Sequence, residues 1–134
     1  MVIRDLRPVH APILDDPLTR RSTACAIEVH TQPEPGVLEK LYKVAMVVEL
    51  QLAGLKVEKN VKIPIEYKGH SIGDYFIDLL VEDCVILELK SVERHDPVFE
   101  AQILSYLRLT QRKIGLLINF HSKMVKDGIK RFVL

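Results

Sequence analysis

The stretch "KIGLLINF", Lys113 to Phe120, is apolar almost throughout. Such a run suits a strand covered on both faces, the setting of an internal strand parallel to a neighbour. A second run, "CVILELKSV" from Cys84 to Val92, reads as another buried strand. Between the two, Asp96-Pro97 supplies an N-cap and a proline at the first helical position. The helix that follows is expected to reach about Thr110 and to bury Phe99, Ile103, Tyr106 and Leu107. A chain that alternates strand, helix and strand in this way has to build a sheet with helices packed on it.

The remaining segments fill in around that unit. The opening seventeen residues hold three prolines and no periodicity, so residues 1–17 are expected to be an irregular arm, with one domain over 18–134. A helix is expected from Leu18 to about His30, broken by "QPEPG" at Gln32 to Gly36. A second helix starts near Val37, with Leu38, Leu41, Ala45, Val48 and Leu52 as its apolar stripe and Gly54 as its C-cap. "LKVEKNVKIPIEYKG" and "SIGDYFIDLLVED" read as strands joined at Lys68-Gly69-His70. "IKRFVL" can close the sheet. The expected fold is α/β (α+β): two helices, three strands, a helix, a strand and a closing strand, in a mixed sheet of four or five strands flanked by helices.

Apolar residues make up 48% of the 134 and charged ones 28%, the balance of a globular domain. No apolar run approaches the ~20 residues that span a bilayer. The first residues carry charges and prolines where a signal peptide has its apolar stretch. The expected location is therefore cytoplasmic, with no membrane partner. Cys25 and Cys84 lie far apart and are expected to be reduced core thiols. Net charge is only +1, yet from Ile103 onward Arg108, Arg112, Lys113, Lys123, Lys126, Lys130 and Arg131 face the single acid Asp127. That asymmetry suits a phosphate-contacting surface and equally a solvated basic face.

Charge inside a buried strand needs a partner or a metal. In "VILELK", Ile86, Glu88 and Lys90 share one face. The preceding strand holds one isolated acid, Asp78. A turn with an odd number of residues, such as Glu82-Asp83-Cys84, sets Asp78 opposite Glu88, whereas a two-residue turn pairs it with Leu87. Sequence leaves both turns open. Facing carboxylates repel unless a cation joins them, and their hard oxygens favour Mg²⁺ or Mn²⁺. Lys90 is then placed to stabilise charge developing on a phosphodiester under attack. The plain alternative is a Glu-Lys pair on a solvated edge strand.

Asp78 followed by Glu88-Leu89-Lys90, in this order of elements, resembles the PD-(D/E)XK nuclease superfamily. Gly36-Val37-Leu38-Glu39-Lys40-Leu41-Tyr42 resembles the motif that names the GxxExxY protein family, a mostly uncharacterised bacterial branch. The likeness continues through "FIDLLVEDCVILELKSVE", "EAQILSYL", "IGLLINF" and "DGIKRFVL". It implies a restriction-endonuclease-like core and a Mg²⁺- or Mn²⁺-dependent nuclease. Asp78 and Glu88 would be metal ligands, Lys90 the motif lysine, and Glu39 an accessory acid reaching the metal directly or through water. Gln102 would orient water or phosphate. Ile77 stands where the superfamily motif has proline.

Plainer roles stand beside these. Glu39 in a first helical turn suits the helix dipole. Gln102 sits at helical spacing from Phe99 and Tyr106, and Tyr42 is expected to pack. His10, His30, His70, His95 and His121 show no ligand spacing, and His95 is expected in a loop. The expected partner is nucleic acid, DNA ahead of RNA, contacted mainly by Lys123, Lys126, Lys130 and Arg131. A homodimer or a partner protein fits the modest net charge. The rival function is a catalytically idle nucleic-acid- or protein-binding module on the same fold.

Overall fold

The computed structural model describes residues 16–31 and 39–134. Most of the expected N-terminal arm, the "QPEPG" turn, Val37 and Leu38 lie outside the described residues. The elements run α1 (Pro17–Thr31), α2 (Glu39–Leu52), β1 (Val57–Tyr67), β2 (His70–Val81), β3 (Val85–Lys90), α3 (Pro97–Thr110), β4 (Ile114–Asn119), a short 3-10 turn (Val125–Gly128) and β5 (Ile129–Val133). The strands form one sheet in the order β1-β2-β3-β4-β5. Only β3 and β4 pair in parallel, the rest antiparallel. Pro17 belongs to α1, so the helix begins within the expected arm.

Two cores sandwich the sheet. Ala26, Val29, Tyr42, Met46 and Leu50 of α1 and α2 pack on Leu79, Leu87, Leu89, Leu116 and Ile118. On the opposite face Ile103, Tyr106 and Leu107 of α3 pack on Ile77, Ile86, Leu117 and Phe132. This explains why β3 and β4 are apolar on both faces. Gly115 of β4 lies beneath α3, where a Cβ would stand 2.9 Å from Ile103 Cδ1. A side chain there would make the end of Ile103 shift.

Local chemistry sets the element ends. Asp96 accepts from the Val98 amide at 3.0 Å and Pro97 opens α3. Lys68 and Gly69 both adopt positive φ, the backbone of a two-residue hairpin turn. Gly54, at φ 79, terminates α2.

Three expectations are corrected. The stripe on α2 faces the wrong way: Tyr42, Met46 and Leu50 are buried, while Leu41, Val48 and Leu52 are exposed. This helix has apolar residues on most of its circumference, so spacing alone does not choose its packed side. Cys84 is an exposed thiol in the β2–β3 turn rather than a core residue, while Cys25 is buried. Arg131 is also buried, as the first residue after Lys130 to turn inward, and its guanidinium donates to Asp16 Oδ2 at 2.9 Å. Its guanidinium is therefore not part of an exposed basic face.

Candidate metal and phosphodiester site

The β2–β3 turn has three residues, Glu82-Asp83-Cys84. Glu82 and Asp83 take positive φ, and the Cys84 amide donates to Val81 O at 3.0 Å. Arg112 clamps Asp83 at 2.6 Å. The resulting ladder pairs Val81 with Val85, Leu80 with Ile86 and Leu79 with Leu87. Its next step brings Asp78 to Glu88.

At that step side chains take over from backbone. The Asp78 amide donates to Glu88 Oε1 at 3.0 Å, and the Leu89 amide donates to Asp78 Oδ2 at 2.9 Å. Each carboxylate thus caps the strand that carries the other. The strand on the far side of β2 is irregular at the same level. Lys59 pairs with Leu79 and Val61 with Ile77, and between them Asn60 has φ 53. Leu79 and Val81 point into the α1/α2 core, whereas Ile77 belongs to the α3 core. The β1–β2 ribbon therefore turns over at Asn60 and Asp78. Asparagine tolerates left-handed backbone better than most residues, which suits it to this place.

The two acids differ in surroundings. Glu88 is 4% exposed. Burial first, and the Asp78 carboxylate second, push its carboxyl up to about 8 against the pull of the Asp78 amide and Lys90. Asp78 is half-buried and meets Lys43 of α2, Nζ to Oδ1 at 3.4 Å. The same ammonium donates to Asn60 Oδ1. Tyr106 stands on the α3 side, its ring 5.7 Å from that of Tyr75. Burial, then Glu88 and Asp78, push its phenol up to about 12, so it remains a neutral O–H donor.

Lys90 is half-buried, with Nζ 4.6 Å from the Phe99 ring centre. It opens into a cavity of about 220 Å³ lined by His95, Phe99, Asn119, Asp127 and Lys130 among others. Asn119 pins the loop after β3, accepting from the Val92 amide at 3.1 Å and donating to Val92 O at 2.9 Å. The Phe120 amide donates to Lys90 O at 2.8 Å. Gly128 is required beside this anchor, because a Cβ there would stand 2.5 Å from Asn119 O.

Asp78 and Glu88 are thus brought together, and Lys90 follows two residues on along β3 with its ammonium over Phe99. Glu39 is exposed in the first turn of α2, one turn before Lys43. Gln102 is exposed on α3. Among the described residues, no three acids, histidines or cysteines form a ready metal cage. Two carboxylates nevertheless fit Mg²⁺, which retains several waters and accepts phosphate oxygens beside one or two protein ligands. Tyr42 packs, stacking on Phe120 with centroids 4.5 Å apart. His95 lies in the loop before α3 and meets Glu100 at 2.6 Å. Lys123 and Lys126 are exposed, and Lys130 lies 3.7 Å from Glu100.

Sequence reasoning missed Lys43, Asn60, Tyr106 and Asn119 as parts of the site. Only Asn60 left a visible trace, as an asparagine interrupting a β-branched strand.

A mixed sheet between helix layers, with paired acids where a ladder lapses and a lysine two residues on, defines a restriction-endonuclease-like fold. The family model of the PD-(D/E)XK nuclease superfamily matches residues 16–132, and the chain belongs to that superfamily. No curated protein matches it. No helix among the described residues is long and apolar enough to cross a membrane.

Proposed function

We propose that this chain is a GxxExxY-type, Mg²⁺-dependent nuclease that hydrolyses phosphodiester bonds, with DNA as its first substrate. One observation carries the reading: Asp78 and Glu88 cap each other's strands, and Lys90 follows on the Glu88 strand. Asp78 and Glu88 would hold Mg²⁺ or Mn²⁺, with Glu39 reaching it directly or through water. The bound ion supplies Lewis-acid polarisation of the phosphate and a more acidic water. Glu88 has to give up its proton to become a ligand. Lys90 contributes a positive charge to the developing phosphorane, and its contact with Phe99 limits where that charge can lie. Gln102 is assigned to orienting water or phosphate. Lys123, Lys126 and Lys130 contact phosphates on the same side.

The test is plasmid and single-strand cleavage with Mg²⁺ or Mn²⁺, run beside Lys90→Ala. Cleavage by the wild type that falls at least about a hundredfold in the variant supports the enzyme. Binding without cleavage by the wild type supports the idle binding module instead.

A further inference from the structure

A groove of about 310 Å³ runs between α2 and β1 on the α1/α2 side of the sheet, opposite the Lys90 cavity. Lys40, Lys43, Lys59, Asn60, Val44 and Val48 line it, with no carboxylate in the lining. Its inner end is fixed, since Lys43 reaches both Asn60 and the Asp78 carboxylate. Lys40 and Lys59 make no ion pair among the described residues. Val44 is 60% exposed and Val48 48%. Ammonium groups beside an apolar wall match one chemistry well: a strand whose phosphates are anionic and whose sugars and bases are largely apolar.

Three of the basic residues toward the C-terminus have acids beside them, while Lys123 and Lys126 are exposed without an ion pair among the described residues. Arg131 is buried on Asp16, Arg112 is spent on Asp83, and Lys130 has Glu100 nearby. In the α2–β1 groove Lys43 meets Asp78, while Lys40 and Lys59 have no ion pair among the described residues, and the groove ends on a residue of the site itself.

We propose that the α2–β1 groove is a nucleic-acid subsite in which Lys40 and Lys59 hold backbone phosphates and Val44 and Val48 receive sugar and base, leading the strand to Asp78. This rests on the nuclease reading and adds where the substrate lies. The apolar residues exposed along α2 also offer a surface to a second copy of the chain, an outcome that the test separates.

The experiment is fluorescence anisotropy of a labelled single-stranded DNA oligonucleotide and its duplex, in chelator, over a salt series. Wild type is compared with Lys40→Ala/Lys59→Ala. Mn²⁺ calorimetry, plasmid cleavage and size-exclusion chromatography are run on both proteins. The double variant is expected to bind about tenfold more weakly at low salt, with a single-strand salt slope shallower by up to about 1.4. Its Mn²⁺ affinity and its elution are expected to match wild type. Unchanged affinity and slope in a variant of a wild type that cleaves overturns the groove and leaves the nuclease standing. A wild-type dimer that dissociates in the variant assigns the face to self-association and also overturns it. A wild type that neither binds nor cleaves removes both readings together.

Discussion

Replacing Glu88 by glutamine tests the site through folding alone, without substrate or metal. The residue is buried, and its carboxyl is held at about 8 instead of the ordinary 4.5. Between those values the folded chain keeps a proton that the unfolded chain has lost. Stability therefore falls as pH rises through this window, by about 1.4 kcal/mol per pH unit. Below about 4.5 both states hold the proton and the penalty vanishes. Above about 8 both have lost it and the penalty is complete. Glutamine has no proton to lose, and its carbonyl oxygen can still accept from the Asp78 amide. Relative to wild type, Glu88→Gln should gain about 3 kcal/mol of stability between about pH 5 and about pH 8. Urea unfolding of both proteins in chelator at those two pH values measures the difference directly. Parallel stabilities at both would refute the reasoning, because Glu88 would then be titrating as an ordinary solvated acid.

Other consequences are open to measurement. Mn²⁺ affinity should rise with pH up to about 8, with about one proton released per ion bound near pH 7, read by calorimetry in buffers of different ionisation enthalpy. The Glu88→Gln variant should lose Mn²⁺ binding; unchanged affinity would favour a structural role for the acid pair. Gly128→Ala should cost about 1–3 kcal/mol in thermal unfolding, because its Cβ meets a backbone oxygen that cannot swing aside. Deleting Asp83 leaves Glu82-Cys84 as a two-residue turn that still sets Val81 opposite Val85 and Asp78 opposite Glu88, so Mn²⁺ affinity read by calorimetry should be kept although the Arg112 clamp is lost.

The parts legible in sequence were those decided by local pattern. Apolar runs at β3 and β4 demanded cover on both faces, and Asp96-Pro97 marked the start of α3. The Asp78–Glu88 register was legible only as a choice between turns. The deciding feature is the left-handed backbone of Glu82 and Asp83, together with the Arg112 clamp 29 residues away. Helix α2 misled because its periodicity supports several faces, and the packing of Tyr42 on Phe120, with Met46 and Leu50 in the same core, selects one. Arg131 looked like a surface cation because its partner, Asp16, stands 115 residues earlier. Period-two reasoning assumes that a strand keeps one face throughout, so it could not foresee that β2 turns over at Asp78.

That turnover connects fold to chemistry. A continuous β2–β3 ladder would occupy the Asp78 and Leu89 amides with backbone carbonyls and leave two carboxylates crowded on one face. Where the ladder lapses, the acids take those amides themselves, which fixes their oxygens in place. The remaining negative charge is offset by what the chain already has: Lys43 beside Asp78 and the proton that burial keeps on Glu88. On the proposed reading, a divalent ion held by Asp78 and Glu88 would displace that proton and compete with that ammonium, rather than fill a site of bare charge. The ammonium displaced from Asp78 would stay at the inner end of a lysine-lined groove, where a phosphate could receive it.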